Sequence, residues 1–531
     1  MLKYRYLITA LLFFLLMITA SARAAGVTGT GTIIDSVEID NRNIYDLTDP
    51  RYSHWIFRLA NKCNIKTRKS VIRRELLLRK GDTYRPELAE ETEYILRALP
   101  YIWNASVDLD KSPAGANVLR VTTSDRWSLT GGFSFSRSAA QTTYQLGFEE
   151  VNFLGLGQFL EANYFIREFE EDYLNLAYSN RRILGSNLAL DTYYNDSPEV
   201  GSKRIVLSKP WYSLLSKFSF IVAFKLTDRR NDYYMDGVIV GQDWVRGSIF
   251  DSKLAYRFGS YHTKLETGLL YSYVDFDARG RREYYADTPI HFARDSLYHF
   301  VEPQIGIMDI RFIKTWRIRM FTRDEDITLT RSIFLKYGRA WNPAAGRKVF
   351  DKISLEGSYA VYYRSNLILA NLIRREWFDG ARSFRKQQEL SIRYYNNGTV
   401  WYTPVVLLMY AKDVRRDRMK FLYLGENHGI RGYSKNYRDG EKLVRCNLEN
   451  RFFTNIRLIS NRIGITQFAD FGRVWSQGEK LDFTNWLWSV GIGLRFGTER
   501  VTKRETLRID LAYAGRLKSW QISFGLGQYI N

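Results

Sequence analysis

From residue 127 onward the chain alternates apolar and polar residues, and this constrains the fold more than any single motif. Trp488, Val490, Ile492, Leu494 and Phe496 alternate with Ser489, Gly491, Gly493, Arg495 and Gly497. Leu507, Ile509, Leu511 and Tyr513 alternate with Arg508, Asp510 and Ala512, and Trp520, Ile522, Phe524 and Leu526 with Gln521, Ser523, Gly525 and Gly527. The same period runs through Leu129, Gly131, Phe133 and Phe135, then Tyr144, Leu146 and Phe148. A period of two means strands with two unlike faces. A soluble sandwich alternates too. Here the runs last about ten residues, large aromatics fill one side, and Gly, Arg, Asp and Gln fill the other. That pattern predicts a transmembrane β-barrel over residues 127–531, apolar outside and polar within. The 36 Tyr, 32 Phe, 13 Trp and 37 Gly, against only 10 Pro, suit many such strands.

At about 25 residues per strand and connection, the segment accommodates about 16 antiparallel strands, and an even number. Residues 228–345 are the hardest to parse. Asp228-Arg229-Arg230-Asn231-Asp232 and Arg279 to Tyr285 read as loops, and Val238-Ile239-Val240 as strand or loop.

The first 24 residues read as a signal peptide. Lys3 and Arg5 precede an apolar run from Leu7 to Ile18, and Ala22-Arg23-Ala24 supplies the cleavage pattern. An anchoring helix is the alternative, but the run is short for one. The expected chain is therefore exported. Cys63 and Cys446 lie far apart and suggest no disulfide framework. The net charge of +21 is scattered among alternating strands. It fits a polar lumen, lipid headgroups or outer loops, and no nucleic-acid partner is expected.

Residues 31–124 read as a compact α/β unit. Ile33, Val37 and Ile39 mark a strand, and Trp55 to Leu59 opens a helical region. Val71, Glu75 and Leu78 share a helix face that Gly81-Asp82 stops. Pro86 starts another helix, with Leu88, Thr92, Ile95 and Leu99 on one side and Pro100 at its end. Strands at Ala105 to Leu109 and Asn117 to Thr122 follow, joined by Pro113-Ala114-Gly115. The unit lacks a cluster of His, Cys or carboxylates for catalysis. Its use is either a sheet edge that accepts an extended peptide, or a spacer or plug-like lid. Ser124-Asp125-Arg126-Trp127 joins it to the barrel almost without linker.

One long polar loop, 411–442, interrupts the barrel pattern. Its centre is Gly429-Ile430-Arg431-Gly432-Tyr433. On the next strand Glu449 shares a face with Arg445, Asn447 and Arg451; on the one after, Asp470 shares a face with Gly464, Thr466 and Phe468. Both carboxylates therefore face the lumen. If the loop folds inward, Arg431 reaches them in a bidentate contact. An outward loop with a solvated arginine is the other reading, and the pattern leaves both open.

These residues resemble the Omp85 superfamily of outer-membrane assembly and translocation barrels. Ile430-Arg431-Gly432-Tyr433 is similar to that family's V-R-G-F/Y loop, and Glu449 and Asp470 stand where its wall acids stand. Val71-Ile72-Arg73-Arg74-Glu75-Leu76 and Gly81-Asp82-Thr83-Tyr84 resemble the helix and turn of a POTRA domain, of which one precedes the barrel. Asn152-Phe153-Leu154-Gly155-Leu156-Gly157-Gln158 resembles the turn after the second barrel strand. The resemblance implies a barrel of 16 strands in the bacterial outer membrane, a periplasmic POTRA-like domain, and Arg431 paired chiefly with Asp470 and supported by Glu449. It further implies a non-enzymatic factor, without nucleotide, cofactor or metal, that inserts or translocates proteins through a labile lateral seam. The implied partners are outer-membrane lipid, unfolded outer-membrane or secreted client polypeptides, and periplasmic or lipoprotein partners. A secretion pore dedicated to one partner is the rival reading, and a structural surface-antigen barrel without transport is another. The last residues, 525–531, lack a terminal aromatic, and Tyr529 is the nearest substitute.

Overall fold

A computed structural model describes residues 31–530, apart from 139–140, 169–170, 198, 236–237, 279–281, 285–294, 321–323, 416–421, 459–460, 483, 499 and 502–505. The expected signal peptide, most of the loop expected from Arg279 to Tyr285, and residues 416–421 of the long loop lie outside the described residues.

The front unit contains β1 (Ser36–Arg42), α1 (Trp55–Cys63), α2 (Lys69–Glu75), α3 (Pro86–Arg97), β2 (Ile102–Lys111) and β3 (Asn117–Asp125). The sheet order is β1-β3-β2, with β1 parallel and β2 antiparallel to β3. Ile39, Ile72, Leu88, Leu96, Ile102, Leu119 and Val121 form one core between the sheet and two of the helices. Pro86 occupies the first turn of α3, as its spacing predicts. The helix expected through Leu78 stops earlier, at Glu75. Leu76 turns extended with ψ 131°, and the Leu77 N–H is taken by Thr92 Oγ1 at 3.3 Å. An extended segment lets both Leu76 and Leu78 enter the core, which outweighs one more helical turn.

From Leu129 to Leu526 the chain is one long sheet of antiparallel neighbours, paired in the order of a closed barrel. Apart from the three-residue strand Arg282–Tyr284, twenty strands follow one another in that order among the described residues, against the expected sixteen or so. The difference has two sources. Between Leu129 and Lys209 the strands are short and tightly joined, so a uniform spacing undercounts them. And Asp228–Asp232 is not a loop: it belongs to the strand Phe218–Met235, followed by Val238–Gly259. Charged and polar residues pair there across the ladder, Arg246 with Asp228 and Gln242 with Asp232, so the apolar rhythm fades while the strands continue.

The barrel is inside out relative to a soluble domain. Leu146, Leu448, Val490, Ile492, Ile522 and Phe524 are exposed on its outer face. Arg431, Arg451, Arg495, Glu449, Asp470 and Asp510 are almost wholly buried within it. An apolar exterior with a charged core suits hydrocarbon as the surrounding solvent. Among the described residues, no helix is long and apolar enough to cross a membrane.

Candidate functional site

The strands Lys442–Leu458 and Asn461–Trp475 pair so that Asn447 lies opposite Asp470 and Glu449 opposite Phe468. This register sets both acids on one inner wall. The loop before them folds inward, and each residue of Gly429–Tyr433 has a separate task. Gly429 adopts φ 97°, where a side chain would collide with the Arg445 guanidinium. Ile430 is buried with Leu424, Leu443, Leu487 and Ala514. Gly432, at φ 83°, presses on the wall so closely that a Cβ would lie 3.1 Å from that of Ala512. Tyr433 donates its hydroxyl to the Trp488 carbonyl at 2.9 Å.

Arg431 has no exposed surface. Its Nε and Nη2 donate to Asp470 Oδ2 and Oδ1, both at 2.8 Å, and its Nη1 donates to Glu449 Oε1 at 2.9 Å. Its backbone N–H also reaches Asp470 Oδ2, at 3.1 Å. The guanidinium is sandwiched between rings, 3.6 Å from the Phe468 centroid and 4.2 Å from that of Tyr529. Arg451 holds the other Glu449 oxygen at 2.8 Å, and Arg495 holds Asp510 at 2.6 Å. Asn447 bridges Asp470 to the Gly429 carbonyl. Three guanidiniums thus face three carboxylates in a water-excluded network, the arrangement in which a buried ion pair becomes tolerable.

Arg431, Glu449 and Asp470 are found together, with Asp470 the bidentate partner. The roles of Arg451, Arg495, Asp510 and Asn447 were visible only as polar positions on inward faces. Tyr529, expected to stand in for a terminal aromatic, has a different role. Instead of an outer aromatic it is an inner one: residues 527–530 leave the last strand, Ser519–Leu526, and enter the lumen. Tyr529 donates to the Glu426 carbonyl at 2.7 Å, Arg495 donates to Gln528 at 3.2 Å, and Arg451 donates to the Ile530 carbonyl. Ile530 is buried among Ile318, Leu367, Tyr395, Val405 and Leu407, which belong to distant parts of the wall. The lumen is therefore crossed by the loop and by this tail.

Below the rim, the front unit grips the turns of the barrel. The Arg68 N–H donates to the Gly155 carbonyl at 2.9 Å, and Asn152 donates to Thr67 at 2.9 Å. Arg182 donates twice to Glu75, at 2.9 and 2.7 Å, with its guanidinium 3.8 Å from the Tyr212 ring centroid. Arg97 donates twice to Asp326, both at 2.8 Å. Glu91 accepts from the Leu214 N–H and the Tyr261 hydroxyl, both at 2.6 Å. Phe153-Leu154-Gly155 and Ile183-Leu184-Gly185 are two copies of one turn, each with Leu and Gly at positive φ. The first was read from the sequence; the second was not, although its Leu-Gly pair was the available signal. Burial pushes the Glu91 carboxyl up, against the opposing bonds from Tyr261 and Leu214. Burial likewise raises Asp125, against its bond from the Thr67 N–H.

Among the described residues, no group of His, Cys, Asp and Glu is placed to hold a metal ion. No family model and no curated protein matches the chain. Solved structures do show similarity at low identity. BamA from Haemophilus ducreyi lacking POTRA domains 1–3 is 12% identical, with a TM-score of 0.35, over 93% of this chain and 83% of that one. CdiB from Acinetobacter baumannii is 11% identical, with a TM-score of 0.42, over 94% and 74%. CdiB from Escherichia coli is 11% identical, with a TM-score of 0.41, over 95% and 90%.

Proposed function

We propose that this protein is an outer-membrane factor that inserts or translocates polypeptides without nucleotide, cofactor or catalytic residues. The front unit is then POTRA-like and periplasmic, and receives the client. The barrel offers unpaired backbone at a lateral seam between its first and last strands. The observation that carries this reading is the inward loop, held by Arg431 on Asp470 and Glu449. A barrel that merely spans a membrane has no need of an arginine buried at such desolvation cost.

The sheet edges refine how a client would be received. On β2, Arg97 donates to the Ala105 carbonyl at 2.9 Å, and Glu93 accepts from the Val107 N–H at 2.9 Å. These side chains occupy the edge that residues 105–122 were expected to offer. The other edge of the sheet, β1, is the better acceptor for an extended client. The crossed lumen also supports insertion over an open secretion pore in the resting state.

The test is reconstitution of the full chain in lipid vesicles with an unfolded, unrelated barrel as client. Client folding is followed by heat-modifiable gel mobility. Faster folding than in empty vesicles supports the proposal. No acceleration, together with large steady conductance in planar bilayers, overturns it in favour of a pore.

A further inference from the structure

Helix α1 is amphipathic the wrong way round for a free-standing domain. Its one buried residue is Phe57. Trp55 is 60% exposed, Leu59 48% and Ile56 39%, and at helical spacing they form a single apolar stripe. Arg58 and Lys62 flank that stripe, and the helix, WIFRLANKC, carries no acidic residue. Two exposed apolar residues, Leu47 and Ile65, lie close by in sequence.

The inner side of α1 fixes where this stripe sits. Phe57 packs on Tyr45 and Tyr52, with ring centroids 4.7 and 5.3 Å away. Arg500 donates to the Ile44 carbonyl and lies over the Tyr45 and Tyr52 rings. Arg500 belongs to the turn between the barrel strands Leu487–Thr498 and Thr506–Ala514, and its carbonyl accepts from the Trp127 N–H at 2.8 Å. Those two strands expose Leu494 and Leu507 outward, toward that same turn. The buried side of α1 is thus anchored at a barrel turn, beside the ends of strands whose outer faces are exposed and apolar.

We propose that α1 is an interfacial helix, resting on the inner leaflet of the membrane beside the barrel, with anionic phospholipid as its partner. This rests on the reading of the barrel as membrane-spanning. Trp55, Ile56 and Leu59 lie at the boundary between headgroups and acyl chains, while Arg58 and Lys62 meet the phosphates. A helix so seated holds the front unit against the lipid near the last strands of the barrel. A client leaving β1 for the seam then travels along the membrane surface instead of through bulk water.

The test uses the full chain with Cys63→Ser and Cys446→Ser, and one new cysteine labelled with an environment-sensitive fluorophore. The probe sits at Leu59→Cys, at Lys111→Cys on the end of β2, or at Ile522→Cys on the outer wall. Vesicles of phosphatidylethanolamine and phosphatidylglycerol carry a nitroxide high on the acyl chain. The expected result is strong quenching at 522 and at least about twofold more quenching at 59 than at 111. That excess falls when phosphatidylglycerol is omitted. Quenching at 522 with none at 59 overturns the helix proposal and leaves the barrel in the membrane. A probe at 59 that is shielded from water yet not quenched by lipid also overturns it, because a protein surface then covers α1. No quenching at 522 removes the membrane reading and this proposal with it.

Discussion

Arg431 in the lumen, and Arg97 and Arg182 under the rim, all grip carboxylates with two parallel hydrogen bonds. Their surroundings differ. Arg431 and both its acids have no solvent exposure, and two rings enclose the guanidinium. Arg182 is 13% exposed with Glu75 at 2%, and Arg97 is 8% exposed with Asp326 at 16%, so these pairs are mostly buried but keep an edge toward solvent. A fully desolvated pair cannot separate without stranding a charge, so the loop is a permanent part of the wall. A pair at the rim rehydrates in part as it opens, so parting it is expected to strand less charge than parting Arg431 from its acids. One chemistry serves as a lock in the first place and as a latch in the second.

The contrast is most exposed to failure at Arg431. Arg431→Ala is expected to destabilise the barrel by about 3–5 kcal/mol, because Asp470 and Glu449 lose their partner. Thermal unfolding by loss of heat-modifiable mobility measures this. Arg431→Lys should rescue little, since an ammonium cannot hold Asp470 by two parallel bonds. A variant of normal stability would mean that the network is no lock.

Tyr529→Ala comes next, with an expected loss of about 1–3 kcal/mol from one cation–π face and one hydrogen bond. The same measurement checks it. A double-mutant cycle with Arg431→Ala should show strong coupling; additive effects would separate the tail from the clamp.

Arg97→Ala should leave barrel stability nearly unchanged and weaken docking of the front unit by about 1–3 kcal/mol. Limited proteolysis of the junction at 124–127 reads this directly. Equal damage to the barrel would erase the difference between lock and latch.

The smallest expected effect concerns pH. Burial raises the Glu91 carboxyl above its ordinary value, where Tyr261, His262 and Lys264 face it. The docked state therefore holds that proton more tightly than the released state. Its contribution is fully present below the released carboxyl's pKa and is lost as pH rises through the raised value. Junction protection should thus fall as pH rises above the ordinary carboxylate range, and Glu91→Gln should flatten this component. An unchanged slope in the variant would assign the dependence elsewhere.

The parts legible in the sequence are those where one residue's neighbours in the chain decide its environment. From Leu487 to Leu526 each strand has an apolar exposed face and a polar inner one, so the period of two is clean. Glu449 and Asp470 could be assigned to the inner wall by parity alone. Asp228–Asp232 misled because ion pairs across a ladder hide the apolar rhythm. The helix after Val71 was overextended because Leu76, Leu77 and Leu78 fit a helix as well as an extended strand, and only the core decides between them. Residues 527–530 could not be placed at all. Their partners, Glu426, Arg451 and Ile318, are remote in sequence and meet them only once the barrel exists.

Those last contacts join the end of the chain to the barrel's centre. Tyr529 lies against Arg431, and Ile530 lies among residues from distant parts of the wall. The last strand is thus tied to the inward loop by the short segment Gly527–Tyr529. Pulling that strand outward tugs on Tyr529 and Gln528 before it reaches the wall, so strain at the edge of the barrel is felt at its centre.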